Sequence, residues 1–331
     1  MKKPRILFLL LFIVSIAQSQ VFMTDQGKLE ILGLKKWNAQ TLVDSMKTLA
    51  GAKPLHACAG QMVHDFGFAE VSVMFVAKDY TVACIIEDNS DGKLNYLKPS
   101  ADKLPIMNDY KGIAEILENN FKIYNIGLQT YKMVKKGELD KAESRISNYK
   151  DMAKDIETFW KFLKSKNKVS DMNLAFWVLN NDSNIMNSCI AMAILTNFVE
   201  YDAVWWEMLN LQRVKNDTMR YFAATLMQNM NDDIRTVDWE AAVVPIKYLL
   251  SGTNLFLFYN IVGILTKTEI SQGLAERVLS GSTRILNLYL NGSHEVTRKI
   301  AINFIRQISG DENLTSAEDC KKWLKQFENE S

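Results

Sequence analysis

Apolar residues recur along this chain at the spacing of an amphipathic helix, and the same pattern occurs several times. From a first apolar position, further apolar residues follow at offsets 1, 4, 5 and 8, which places them on one helix face. Three stretches carry this stripe: Ile190, Ala191, Ile194, Leu195 and Phe198; Phe222, Ala223, Leu226, Met227 and Met230; and Ile300, Ala301, Phe304, Ile305 and Ile308. A looser copy contains Asn260, Ile261, Ile264, Leu265 and Thr268. The pattern predicts a series of helices that bury equivalent faces.

Short polar breaks divide the region after Ser170 into pairs of predicted helices. The pairs are 171–180 with 184–199, 202–214 with 217–230, 239–250 with 254–267, and 272–290 with 295–308. The anchor residues of the stripes, Ala191, Ala223, Ile261 and Ala301, are 32, 38 and 40 residues apart, close to the period of two-helix repeats. Because one pair cannot bury its apolar face alone, we expect about four pairs to stack into an α-solenoid over residues 169–331.

Two of these helices share a further motif. The segments 220–226 (RYFAATL) and 298–304 (RKIAINF) resemble the R-x-x-A-x-x-L core of HEAT repeats, and residues 308–327 are similar to the Gly-Asp segment and tryptophan-bearing capping helix that close many bacterial HEAT arrays. Ser188 and Phe258 stand where the other two repeats would have the arginine. The resemblance implies an armadillo-type fold that serves as a protein-binding scaffold, with Arg220 and Arg298 as candidate partner-binding residues.

Residues 108–168 show narrower apolar seams. In the first half, Leu117, Phe121, Tyr124, Leu128 and Tyr131 are spaced 4, 3, 4 and 3 residues apart, and a similar seam follows Leu139. Such spacing is typical of long helices that pack side by side. Gly137 lies between the two seams and can adopt the left-handed conformation that ends a helix. The segment is therefore predicted to be an antiparallel helical hairpin.

The N-terminal part, residues 20–107, has a mixed pattern. Asn38 can cap a helix at 39–49, and a second helix is predicted at 55–65. The β-branched runs 71–77 and 81–87 predict a hairpin, followed by a short strand at 94–97. This is expected to be a small α/β domain, so the whole chain is predicted to be α+β but mostly α.

The first 19 residues have the composition of a secretory signal peptide. Basic residues precede an apolar core at 6–17, and small residues allow cleavage after Ser19. No cysteine lies near this site to accept a lipid, and no later apolar run is long and uncharged enough to span a membrane. The protein is therefore expected to be secreted or periplasmic, with a protein or peptide partner in the cell envelope.

The charge balance argues against a nucleic-acid partner. The chain has 39 basic and 38 acidic residues. Three of the basic residues lie in the signal segment, so 36 basic and 38 acidic residues remain, a formal charge of −2. Nucleic-acid-binding proteins usually carry a clear basic excess.

Cysteine and histidine supply the candidate chemistry. Cys58 and Cys84 could form a disulfide in an oxidising compartment, whereas Cys189 is interpreted as a small buried apolar residue. Cys58 with His56 or His64 is the best candidate for a nucleophile and base. On a helix, however, these histidines lie about 200° and 240° from Cys58, which places them away from the thiol. No catalytic residue is therefore assigned.

No cofactor or metal site is predicted either. The chain has three histidines and no paired C-x-x-C motifs, so a zinc site is not expected.

Two adjacent tryptophans complete the list of candidate binding residues. Trp205 and Trp206 point about 100° apart on their helix, so one can enter the core while the other lies at a binding surface. The favoured hypothesis is an exported, non-catalytic scaffold that binds its partner through the helical array. The alternative is an enzyme or small-ligand-binding domain at the N-terminus around Cys58.

Overall fold

The computed structural model shows a small sheet followed by many helices, which confirms the predicted α+β, mostly α class. The structure describes residues 19–50, 59–87, 102–214, 216–230, 235–251, 261–265 and 267–330. The predicted signal segment, Cys58, His56, the strand at 94–97 and most of the helix at 254–267 lie outside the described residues.

Four strands form one sheet near the N-terminus. They are β1 (Gln20–Thr24), β2 (Gly27–Leu32), β3 (Glu70–Ala77) and β4 (Tyr80–Ile86), in the order β1-β2-β4-β3. The β3–β4 hairpin is antiparallel, as predicted, while β2 and β4 are parallel. Strands β1 and β2 were not predicted, because their first half, QVFMTDQGK, lacks the β-branched run that marks β3 and β4.

Two helices, α1 (Ala39–Ala50) and α2 (Ala59–Phe66), connect β2 to β3. The predicted cap is present, since Asn38 Oδ1 accepts a hydrogen bond from the N–H of Thr41 at 3.0 Å. Before the cap, Gly33 has a φ of +91°, and an added Cβ would meet the carbonyl oxygen of Ile85. Only glycine therefore lets the chain leave β2 at this point.

The sheet is covered on both faces. On one face, apolar residues of the strands pack against α1 and α2: Leu29, Ile31, Val73, Ala83 and Ile85 meet Leu42, Val43, Met46 and Met62. On the other face, Leu32, Tyr80, Val82 and Cys84 belong to the same apolar core as the helices that follow. All seven residues of β4 are buried. The sheet is thus the middle of three layers.

The rest of the described chain is helical. In order, the helices are α3 (Lys111–Asn119), α4 (Lys122–Lys135), α5 (Leu139–Ser147), α6 (Ala153–Ser165), α7 (Val169–Asn181), α8 (Ile185–Leu195), α9 (Asp202–Leu211), α10 (Asp217–Met230), α11 (Val243–Leu250), α12 (Gln272–Ser280), α13 (Thr283–Leu290), α14 (Glu295–Ser309) and α15 (Ala317–Leu324). Short 3₁₀ turns occur at Asn108–Tyr110, Lys150–Met152, Glu240–Ala242 and Lys325–Glu330.

The predicted hairpin at Gly137 is present, but the chain reverses once more than expected. Gly137 has a φ of +75°, and α5 returns along α4, where Arg145 contacts Gln129. A turn at Asn148–Met152 then reverses the chain, because Tyr149 leaves the helical region (φ −126°, ψ 53°). Phe159 packs against Gly127, so α6 runs beside α4 in the same direction. The seam after Leu139 therefore belongs to two helices.

The repeated stripes form the core of the helical region. Every stripe residue whose side chain is described is buried, including Ala191, Ala223, Ile261 and Ala301. Helix α8 is buried on all sides from Asn187 to Leu195, as an apolar helix at the centre of a stack must be. The predicted helix 272–290 is instead two helices, α12 and α13, separated at Gly281, where a Cβ would crowd the side chain of Lys247.

A cluster of buried polar side chains joins the two parts of the chain. It lies at the turn before α8 and binds the main chain of the non-helical segment 102–107. Asp182 accepts from the N–H of Leu104 (3.0 Å), Asn184 donates to the carbonyl of Leu104 (2.9 Å), and Asn187 accepts from the N–H of Met107 (3.2 Å) and donates to the carbonyl of Pro105 (3.1 Å). We call these three side chains the linker clamp.

We expect Asn187→Ala to lower the free energy of unfolding by about 2–3 kcal/mol, because it leaves buried main-chain groups of the linker without partners. Urea unfolding followed by circular dichroism measures this loss. Asn173→Ala, at an exposed position of α7, is the matched control and should change stability by less than about 0.5 kcal/mol. Equal stabilities of the two variants would contradict the role of the clamp.

Candidate functional site

Three of the residues singled out in the sequence lie at one place, the junction where the sheet packs on the helices. Arg220 of α10, Arg298 of α14 and Cys84 of β4 all contact residues across or beside this junction. The Arg220 guanidinium lies 4.0 Å from the Glu70 carboxylate of β3, and both side chains are largely buried. Both arginines of the repeat motif therefore have binding partners within this chain.

Glu30 of β2 is the centre of the junction. It has no solvent-exposed surface, although it carries a carboxyl group. Its oxygens accept hydrogen bonds from the Tyr80 hydroxyl at 3.0 Å, from the Thr297 hydroxyl at 3.4 Å and from the N–H of Ser293. Ser293 and Thr297 flank the N-terminus of α14, where helix N–H groups favour an anion. Glu30 therefore fastens the sheet to the start of α14.

The neighbours of Glu30 reinforce this contact. Arg298 donates to the carbonyls of Gly292 (2.7 Å) and Ser293 (2.6 Å), which holds the loop that reaches Glu30. His294 caps α14 by accepting the N–H of Val296 at 3.2 Å, and its ring contacts the Tyr80 ring, with centroids 4.1 Å apart and the planes tilted by 38°. Burial, together with the adjacent Glu30 carboxylate, raises the pKa of Tyr80. The Tyr80 hydroxyl stays protonated and remains a donor.

The described cysteines do not have the properties of nucleophiles. Burial raises the pKa of Cys84 and of Cys189 to about 12 and that of Cys320 to about 11, so these thiols are protonated at neutral pH. Cys84 is buried beside Tyr289. Its predicted disulfide with Cys58 stays a prediction, since Cys58 lies outside the described residues.

Of the candidate nucleophile site, the structure describes only His64. His64 is exposed and contacts Asp65 at 2.8 Å, its sequence neighbour. Within the described ranges, no group of three or more histidine, cysteine or acidic side chains is arranged to hold a metal ion. The nucleophile hypothesis around Cys58 and His56 stays a prediction for the same reason as the disulfide.

The tryptophan pair is divided between core and surface, as the helix period predicts. Trp205 is 1% exposed, donates to the carbonyl of Val199 at 2.8 Å and meets Trp239 edge-on. Trp206 is partly exposed, and its indole N–H donates to the carbonyl of Asp238 at 2.7 Å. Trp206 is therefore the member of the pair that a partner can reach.

Trp206 is one of several partly exposed aromatic and cationic residues on or next to the first helices of successive pairs. Trp177 of α7 is 48% exposed. Beyond Trp206, the Arg213 guanidinium lies 4.9 Å from the ring centroid of Tyr248 on α11, a cation–π contact. We call Trp177, Trp206, Arg213 and Tyr248 the outer patch. It runs across α7, α9 and α11.

A carboxyl group lies within the outer patch. Glu207 follows Trp206 on α9, and Asn180 Nδ2 of α7 lies 3.5 Å from its Oε1. Burial raises the pKa of Glu207 from its ordinary 4.5 to about 7. A carboxyl group with such a pKa exchanges its proton near neutral pH.

Sequence reasoning missed Glu30, Trp177 and Glu207. Glu30 could have been noticed as an acidic residue within the apolar run LEIL, where alternation places it opposite Leu29 and Ile31. The tryptophan at position 177 lies one helix pair before the WWE motif that contains Glu207, but only the stacking of the pairs brings α7 and α9 together.

Comparison with known proteins gives no assignment, because no protein family, curated protein or solved structure matches this chain. The resemblance to HEAT repeats therefore stays a prediction. In the part of the chain that the structure describes, no helix combines the length and apolar character needed to cross a bilayer.

We expect Glu30→Ala to reduce the free energy of unfolding by about 3 kcal/mol, since the Tyr80 hydroxyl and the Ser293 N–H lose a charged acceptor inside the protein. Urea unfolding gives the size of the loss, and amide exchange near residue 293 locates it. Glu115→Ala removes an exposed carboxylate from α3 and should be nearly neutral. A loss no larger than that control's would show that Glu30 does not hold the junction.

Glu207→Gln should stabilise the protein at pH 8 but not at pH 4. The folded chain binds the Glu207 proton more tightly than the unfolded chain, so stability falls as the pH rises from about 4.5 to about 7 and then stays level. Glutamine cannot ionise and avoids this loss, a gain of about 1–3 kcal/mol at pH 8. Thermal unfolding across this pH range measures it, with the exposed Glu200→Gln as control. A gain independent of pH would contradict the raised pKa.

Proposed function

We propose that the protein is an exported, non-catalytic scaffold that holds a protein or peptide partner in the cell envelope through the outer patch of its helical array. The observation that carries this proposal is the patch itself. Tryptophan, tyrosine and arginine are the residue types most enriched at binding hot spots. Here they occur together across three successive first helices.

We choose the face formed by the first helices because the N-terminal part of the chain covers the second helices. The second helices of the pairs face residues of the N-terminal part: the linker clamp on α8 binds segment 102–107, Arg220 on α10 contacts Glu70, and α14 receives Glu30. The resemblance to HEAT repeats alone would assign partner binding to Arg220 and Arg298. Since both already contact this chain, the outer patch is the better candidate surface.

The outer patch is also held rigidly. Trp206 and Phe176, the neighbour of Trp177, pack against the main apolar core, and the indole N–H of Trp206 is bonded to the main chain of the next pair. Side chains that are already ordered lose little conformational entropy when a partner binds. This favours a binding role over one in which the patch is merely a solvated surface.

Affinity capture tests the proposal, with the chain from Gln20 onward as bait in a cell-envelope extract and mass spectrometry as the readout. We expect one protein to be retained near stoichiometrically and Trp177→Ala to lower its recovery at least about tenfold, the effect of losing about 1.4 kcal/mol of binding energy. The matched control is Phe75→Ala on β3, which removes an aromatic side chain that is also 48% exposed.

Two results would contradict the proposal. Recovery that falls equally with Phe75→Ala would move the binding surface to the sheet. A bait that retains no protein above an unrelated control would leave the scaffold function without support. Amino-terminal sequencing of the exported protein tests the location separately, because cleavage after Ser19 leaves Gln20 as the first residue.

A further inference from the structure

The carboxyl group of Glu207, beside the outer patch, is partly buried without a cationic partner among the described residues. It lies between α7 and α9, partly buried, with Asn180 Nδ2 at 3.5 Å. No lysine or arginine of the described residues forms an ion pair with it, and burial alone accounts for its raised pKa. An acid removed from water without a cation gains most from a cation supplied by another molecule.

Two tryptophans lie on the same two helices as this carboxyl group. Trp177 lies three residues before Asn180, so the helix period places both on the same face of α7. Trp206 directly precedes Glu207 on α9. Indole faces attract ammonium and guanidinium groups, and the attraction grows when water is excluded. A surface that carries both a carboxyl group and tryptophans therefore favours a cationic group over a neutral one.

The charge of the surrounding repeats agrees with this preference. Residues 169–214 contain five acidic residues, Asp171, Asp182, Glu200, Asp202 and Glu207, but only one basic residue, Arg213. Residues 108–168 contain 13 basic and 9 acidic residues. The segment that contains Glu207 therefore has an acidic excess, which favours a basic ligand over an acidic one.

Other charged side chains near α9 already have partners in this chain. The contacts are Asp171 with Lys166 (3.9 Å), Asp202 with Arg235 (2.5 Å), Asp238 with the N–H of Glu240 (3.0 Å), Glu240 with Arg277, and Lys247 with the Ser280 hydroxyl (3.0 Å). Asp171, Asp202 and Glu240 are therefore paired with cations of this chain, whereas no ion pair of Glu207 occurs among the described residues.

We propose that Glu207, on the outer patch with Trp177 and Trp206, binds a lysine or arginine side chain of the partner. This rests on the proposed function and names the chemistry that the outer patch recognises. On binding, the carboxyl group gives its proton to water and pairs as a carboxylate with the cation, which keeps its own protons. Affinity therefore increases between pH 6 and pH 8.

The proposal can be tested without knowing the partner. The probe is N-acetyl-lysine methylamide, and its neutral counterpart N-acetyl-norleucine methylamide has the same aliphatic stem without the ammonium group. Ligand-observed NMR titration of the chain from Gln20 onward should show binding of the lysine probe in preference to the norleucine probe. Glu207→Gln should weaken lysine-probe binding about tenfold, as expected for a charge-assisted contact worth about 1.5 kcal/mol.

Glu200→Gln is the matched control, because it removes the same charge from an exposed position nearby and should change affinity less than twofold. Equal effects of Glu200→Gln and Glu207→Gln, or equal binding of the two probes, would overturn the proposal. Affinity that does not rise between pH 6 and pH 8 would also overturn it. Circular dichroism of each variant confirms that the fold is intact.

The probe titration and the partner capture test different hypotheses, so their outcomes can be distinguished. If Trp177→Ala abolishes capture but the lysine probe does not bind, the scaffold stands and the cationic ligand is wrong. If the lysine probe binds at Glu207 but no partner is retained, the site recognises cations and the scaffold function fails.

Discussion

The fold depends on a buried carboxylate that joins the beginning of the chain to its end. Glu30 accepts the main-chain N–H of Ser293, 263 residues later, together with the hydroxyls of Tyr80 and Thr297. A carboxylate in the interior is tolerated only when its oxygens are satisfied, and here the N-terminus of a helix supplies part of that requirement. The sheet cannot shift along the helices without leaving this charge unpaired.

This contact explains why the repeat arginines have internal partners. Once the sheet is fixed on α14, Glu70 at its other edge lies opposite Arg220 of α10, so the sheet spans several second helices at once. The first helices are left with their outer sides exposed, and that is where Trp177, Trp206 and Glu207 lie. The position of the outer patch is therefore a consequence of how the N-terminal part is bound.

Local patterns in the sequence were enough to predict the helices and their buried faces, because the period of apolar residues is a property of each segment. Ala191, Ala223 and Ala301 are buried as predicted. The reversal at Tyr149 was missed, since the apolar seam continues across a turn that only the dihedral angles reveal. The parallel pairing of β2 with β4 was missed because it joins residues 52 positions apart.

The site was less predictable than the fold. The tryptophan pair was noticed because two large aromatic residues are adjacent, but the partners of Glu30 and Glu207 come from helices far away in the sequence. Such charges look like ordinary surface residues until their neighbours are known. The raised pKa of Glu207 in particular arises from the packing of α7 against α9, which no single segment encodes.

The contact between Glu30 and α14 also changes how the array folds. In an open solenoid each repeat interacts only with its neighbours, so terminal repeats fray and stability grows one repeat at a time. Here the sheet ties the last pair to the first strands and to α10. This contact opposes fraying of the last pair. The final native contacts have a very large sequence separation, so the molecule gains cooperativity at the expense of folding speed.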